Sequence, residues 1–301
     1  MGDREKPNIF LTMLPPSPSA ATPAVPPQGP GQAVGVHHRF KPAVGAIWAS
    51  AAAPPSSPIG NMLAGTSVGV VHIEPRPHGF GAHLYSIKSD VFAVEFLPSS
   101  PAPAPAVAAA AGAAAAGPAD PNVFLCGARD GCVRLFDVRV PSAAGSNSDP
   151  RKGEMLLHHG GPVTHLRALA AQSVVVGGLQ RVATYDLRTP HPPSPSSSYA
   201  QPTRAVCVFD GAVPPGSSTV GLGFAADAAR GILAVADQDR HVSLWSLSSG
   251  LRLPSVLDDG QEGARGRHQW TAPCRALVFD GSVHPGRLWA SDGRSLVCFS
   301  F

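Results

Sequence analysis

Several groups of residues in this chain have the types and spacing that chemistry needs. Gly65-Thr66-Ser67-Val68-Gly69 has the form G-x-S-x-G, which in an α/β-hydrolase holds a nucleophilic serine on a strand-to-helix elbow. The residues after Ser67 are VGVVHIE, a β-forming run, so the expected structure is a glycine-rich hairpin turn. Gly221-x-Gly223-x-x-Ala226 imitates a shortened dinucleotide fingerprint but lacks the βαβ setting that gives the motif its phosphate site. The pairs His37-His38 and His158-His159 suggest a metal, but neighbours on a strand point to opposite faces, and no third ligand is suitably spaced. No metal site and no cofactor is expected.

The most specific pattern is a repeated strand ending. Residues 122–139, NVFLCGARDGCVRLFDVR, read as two strands joined by a tight Asp130-Gly131 turn and ending on Phe136-Asp137-Val138-Arg139. The ending returns in QRVATYDLR at residues 180–188, and a weaker copy lies in DRHVSLWS at 239–246. With a strand period of two, Asp137 and Arg139 share a face, as do Asp186 and Arg188. Arginine presents a planar fork of donors suited to carboxylates and carbonyls. Each pair therefore has two readings: a local ion pair capping its strand, or a docking point for a partner.

A hairpin ending in aromatic-Asp-x-Arg is the inner half of a WD-repeat blade. One such hairpin is too small to fold alone, whereas a radial stack buries each blade against its neighbours. Glu74, Phe136, Tyr185, Trp245 and Phe299 fall at corresponding positions. Once four Pro/Gly/Ser/Ala-rich or charged interruptions are set aside (99–120, 141–150, 190–202 and 258–269), their spacing approaches the ~40–45 residues of a blade. The reading is all-β: a WD-repeat β-propeller of about five recognisable blades over 39–301, with those interruptions as low-complexity loops. Residues 1–38 read as mostly disordered, apart from an apolar stretch at 8–14 that could add a strand to the last blade. The expected innermost strands are 46–50, 91–97, 163–169, 219–224 and 276–279. Structural WD-repeat positions are Phe136, Tyr185 and Trp245 on third strands, His159 before the third blade, and Asp239 in a tight turn. In WD repeats that histidine bonds a turn aspartate and reaches the strand tryptophan. Tyr185 replaces the tryptophan and the 177–180 turn lacks the aspartate, so this network is expected to be incomplete.

Composition narrows the functional classes. The 301 residues are 44% hydrophobic and only 14% charged, enough for one large core, and Gly 32 with Pro 33 suits a turn-rich β protein. A net charge of +3 without polybasic runs does not point to nucleic acid. The longest small-apolar run, 106–116, is too short to span a bilayer. The five cysteines are odd in number and without a C-x-x-C pair, the pattern of reduced core thiols in an intracellular protein of the cytoplasm or nucleus. A propeller hydrolase would need acids or histidines clustered on innermost strands, which offer only Glu95 and His165.

The paired aromatic-Asp-x-Arg box resembles the signature of WD-repeat substrate receptors of cullin-4 RING ubiquitin ligases. The ordered set Ser89-Asp90-Val91-Phe92, LLHHGGPVTHLRAL, YDLR, GILAVADQDRHVSLWSL and SLVCFSF extends the resemblance to the cullin-4-associated WD-repeat factors over about 62–301. It implies a non-enzymatic adaptor whose Asp137, Arg139, Asp186 and Arg188 dock onto the ligase's propeller-built adaptor while a protein substrate binds elsewhere. Phe136 and Tyr185 stand where the motif has tryptophan. The family's ring has about seven blades against five here, which implies a shortened chain or a smaller or open ring. The alternative is a WD-repeat interaction scaffold unrelated to ubiquitination.

Overall fold

The computed structural model describes residues 9–12, 37–40, 46–53, 60–76, 79–98, 119–140, 153–188, 201–213, 220–254, 270–280 and 286–300. Among these residues there is no helix, and the strands form five blade-like antiparallel sheets plus a separate ribbon. Blade 1 contains β3 (Ile47–Ala52), β4 (Met62–Thr66), β5 (Gly69–Arg76) and β6 (Gly79–Ser86). Blade 2 contains β7 (Val91–Pro98), β8 (Ala119–Ala128), β9 (Cys132–Asp137) and β10 (Glu154–His158). Blade 3 contains β11 (Val163–Ala170), β12 (Ser173–Gly178), β13 (Val182–Asp186) and β14 (Cys207–Val208). Blade 4 contains β15 (Phe224–Asp227), β16 (Ile232–Ala236), β17 (Val242–Ser246) and β18 (Arg252–Leu253). Blade 5 has three strands, β19 (Leu277–Asp280), β20 (Arg287–Asp292) and β21 (Ser295–Ser300).

Successive side chains explain why the central strands read as continuous apolar runs. On β12, Val174 and Val176 pack toward blade 2 while Val175 packs toward blade 4. On β8, Leu125 packs toward blade 3 while Phe124 and Cys126 pack toward blade 1. Both faces of a middle blade are buried, so period-2 polarity disappears. The third-strand aromatics of blades 2 to 5 close the seam with the blade before: Phe136 against blade 1, Tyr185 against blade 2, Trp245 against blade 3 and Phe299 against blade 4, while in blade 1 the register puts Ile73, not Glu74, at that position. Phe136 stacks on Phe124 with centroids 5.0 Å apart, and Tyr85 meets both rings edge-on. Apolar clusters fill the four seams between consecutive blades, and the innermost strands pack in the order β3, β7, β11, β15, β19. The arc is not closed. On the far face of blade 5, Val278 is 59% and Leu296 66% exposed.

Two expectations change in detail. The innermost strand of blade 4 begins at Phe224 rather than spanning 219–224, because Gly221 sits at φ 70° in a turn ahead of it. The amino-terminal strand β1 (Ile9–Thr12) pairs with β2 (His37–Phe40), not with the last blade, and β2 places His37 and His38 within a strand. The interruptions fall almost wholly outside the described residues, as does most of 1–38. Both imitated motifs are turns. Ser67 and Val68 join β4 to β5, with the Thr66 hydroxyl donating to the Gly69 carbonyl at 2.8 Å. A side chain on Gly69 (φ 145°) would collide with the Tyr85 carbonyl, which accounts for that glycine. Gly221 and Gly223 lead into a strand, not a helix.

Candidate functional site

In an antiparallel blade, the end of the third strand lies beside the start of the second, on one rim of the arc. Backbone bonds fix this three times: Val138 to the Asn122 carbonyl, Leu187 to Gln172 and Leu247 to Gly231, at 2.8–2.9 Å. The turns between second and third strands lie on the opposite rim. There Arg129 donates to the Asp90 carbonyl and His159 to the Gly131 carbonyl, each at 2.8 Å.

The first rim carries the Asp-x-Arg pairs. Asp137 Oδ1 accepts from the backbone and Nε of Arg139, both at 2.9 Å, and Oδ2 from Nη2 at 2.8 Å. Asp120 reaches Nη1 of the same guanidinium at 3.3 Å. Asp186 repeats the fork on Arg188, with Oδ1 bonded to the backbone at 2.9 Å and Nε at 3.0 Å and Oδ2 to Nη2 at 2.6 Å. The arginine's hydrogen bonds hold each aspartate below its usual carboxylate range. The local ion pair therefore forms in both copies, yet Arg139 and Arg188 remain 57% and 65% exposed. Sequence reasoning missed a third pair. At the end of β5, Arg76 Nε donates to Glu74 Oε1 at 2.8 Å, and the side chain is 54% exposed. The sequence spacing sets Glu74 against Phe136, whereas the register sets it against Asp137; that one-residue offset, with glutamate in place of aspartate, hid a fork whose i, i+2 spacing is the same.

The second rim carries a buried polar network. His159 is 2% exposed. Its Nε2 faces the Arg181 carbonyl at 3.1 Å, so that nitrogen carries the proton. Its Nδ1 lies 2.9 Å from the Tyr185 hydroxyl, which donates to it and accepts from Arg181 Nη2 at 2.6 Å. Burial and the Arg181 charge lower the His159 imidazole to about 4. The tyrosine hydroxyl reaches the histidine directly where an aspartate is lacking, while Arg181 Nε and the Thr184 hydroxyl keep no partner among the described residues, so the network is rerouted and still partly unsatisfied. In blade 4, Trp245 Nε1 donates to Ser243 Oγ at 2.8 Å. There the turn is held by Asp237, whose carboxylate accepts from the His241 backbone at 2.9 Å, while Asp239 is exposed. In blade 2, Asp130 takes the turn position that Asp239 holds in blade 4, each just ahead of a residue at positive φ, and pairs with Arg134 at 2.6 Å.

The two innermost-strand candidates for acid–base work are each engaged by a neighbouring blade. Glu95 accepts from Arg167 Nη1 at 3.0 Å, across the seam between blades 2 and 3. Burial raises its carboxyl and Arg167 opposes that. His165 Nε2 donates to the Leu222 carbonyl at 2.9 Å and its ring stacks on Phe224 at 4.9 Å, across the next seam; burial lowers it to about 4. Cys126 is fully buried and its thiol is pushed up to about 12. Among the described residues no three His, Cys, Asp or Glu side chains gather as metal ligands.

No family model matches the chain, and no curated protein does. Solved structures match in shape. The β-propeller domain of Myceliophteria thermophila Cps50 (Swd1) is 13% identical, with a TM-score of 0.54 over 88% of this chain and 72% of that one. The computationally designed Ika8 protein is 15% identical, with a TM-score of 0.50 over 87% of this chain, which spans 61% of that structure's length. The WD40 β-propeller domain of Doa1 is 13% identical, with a TM-score of 0.49 over 84% of this chain and 64% of that one. The fold is a WD40-type β-propeller arc, incomplete as a ring.

Proposed function

We propose that this chain is a non-enzymatic WD-repeat scaffold that docks onto the propeller-built adaptor of a cullin-4 RING ubiquitin ligase and presents a bound protein substrate. The observation that carries the reading is the repetition of one exposed Asp-x-Arg fork on one rim of two successive blades, at Asp137–Arg139 and Asp186–Arg188. Each aspartate fixes its guanidinium in advance, so less side-chain entropy is lost when a partner's acceptors arrive. The exposed arginines cost the blade little and sit where interface arginines often become hot spots. Intracellular placement, in cytoplasm or nucleus, belongs to the same reading.

The second reading is a scaffold for another assembly, in which the forks only cap their strands. It is favoured by the complete pairing of both aspartates within the chain. Affinity capture of the tagged full chain from cells separates the two. The ligase adaptor co-purifies if the first reading holds, and recovery of other partners without it supports the second.

A further inference from the structure

On the rim opposite the forks, the connection between β10 and β11 and the turn between β12 and β13 enclose a recess of about 140 Å³. Gly160 and Gly161 form one wall, Leu179, Gln180 and Arg181 another, Pro202 a third, with His159 also lining it. At about 30 Å³ per water, it has room for four or five waters. That suits one short polar side chain and falls well below the ~300 Å³ at which small-molecule pockets begin.

Its electrostatics are one-sided. Arg76, Arg129, Arg134, Arg139, Arg167, Arg188 and Arg230 each pair with a carboxylate of this chain. Arg181 does not. Its Nη2 is engaged by the neutral Tyr185 hydroxyl, and its Nε is buried with no hydrogen-bond partner among the described residues. The neighbouring His159 is neutral near pH 7 and adds no second positive charge. A partly buried cation without an anion, in a recess the size of one side chain, is an incomplete ion pair.

We propose that this recess binds the carboxylate side chain of a glutamate or aspartate in an acidic segment of a protein partner, with the Arg181 guanidinium as the anchoring cation. The site is separate from the Asp-x-Arg rim and does not depend on what docks there. The bound carboxylate accepts from the part of the Arg181 guanidinium that lines the recess, the buried Nε lying out of its reach, and Gln180 borders the same space.

The test is a titration of the ¹⁵N-labelled full chain with acetyl-Gly-Glu-Gly-amide, its Gln counterpart and inorganic phosphate, at fixed ionic strength. Saturable shifts are expected at the Gly160, Gly161 and Gln180 amides, with the Glu peptide binding roughly tenfold or more tighter than the Gln peptide, as for a charge-assisted hydrogen bond. Arg181→Gln removes the anchor but also disturbs Tyr185, so Gly161→Leu is the second variant. Gly161 borders the recess and a Cβ there meets nothing within 4 Å, so the added side chain fits without a clash at its Cβ and is expected to crowd the opening. Loss of the shifts in Gly161→Leu with an unchanged melting temperature supports the site. Equal binding of the Glu and Gln peptides, undiminished binding by Gly161→Leu, or phosphate binding more tightly than the Glu peptide would overturn it.

Discussion

The two rims of blade 3 use the same residue type to opposite ends. Arg188 lies in solvent at 65% exposure, with a carboxylate fork that could be lost without leaving a buried charge. Arg181 sits behind the opposite turn, bonded to a hydroxyl in a network with a fully buried tyrosine and a 2%-exposed histidine. The low dielectric around the second arginine makes each bond in its network costly to leave unmade. The first rim can therefore be altered for recognition with little effect on the fold, whereas the second is part of what locks blade 3 onto blade 2.

Acid should break the comparison most sharply. Folded His159 titrates at about 4 against an ordinary 6.5. Between those values the unfolded chain binds a proton that the folded chain excludes. Its contribution is complete above about pH 6.5 and is lost as pH falls toward 4, for about 3 kcal/mol in all. His165, lowered to about 4 chiefly by burial, acts in the same direction. The Asp137 and Asp186 carboxylates are depressed by their arginines, so the forks persist through this window and weaken only at more acid pH. Urea melts at steps between pH 7 and pH 4 should show the loss, and His159→Gln should flatten part of it. A flat profile in the unmodified chain would contradict a buried neutral His159.

Tyr185→Phe comes next in size. It keeps the ring against blade 2 but removes the one group that bonds both His159 and Arg181, for a cost of about 1–3 kcal/mol. Phe136→Tyr in blade 2 sharpens the point. Phe136 packs on Phe124 and Tyr85 within an aromatic cluster. A hydroxyl without a partner there should destabilise, so the two blades should not tolerate exchange of their third-strand aromatics. Equal melting temperatures for either variant and the parent would show that the difference between the blades carries no energy.

Much of the fold is legible in the sequence because blades repeat a local pattern. The hairpins around Asp130-Gly131 and Gln180-Arg181 show strands at alternating β-formers, and the third-strand aromatics fall at one recurring position. The seam contacts are less legible. Glu95 and Arg167 are distant in sequence and meet only because consecutive innermost strands pack together. The Tyr185 hydroxyl's reach to His159 depends on how blade 3 seats on blade 2, so the sequence showed the missing aspartate but not the direct tyrosine–histidine contact. Asp239 does hold the tight-turn position ahead of Arg240 at φ 65°, but its side chain is exposed, and it is Asp237 whose carboxylate bonds the turn backbone, which the sequence did not show. The Glu74–Arg76 fork escaped notice because its first residue is glutamate and its register is offset by one from the sequence spacing, while its geometry is the same.

The smallest effect on the fold accompanies the largest claim about function. In the Arg139→Ala, Arg188→Ala double variant both lost side chains are exposed, and the melting free energy should change by no more than about 0.5 kcal/mol for each. Binding of the purified cullin-4 ligase adaptor to the parent and the double variant, measured in parallel with their melting curves, is the most direct test of the proposed role. The account predicts an unchanged melting temperature with affinity reduced at least thirtyfold, as for the loss of ~2 kcal/mol or more at an interface hot spot. Adaptor binding at parental affinity by a folded double variant would contradict it.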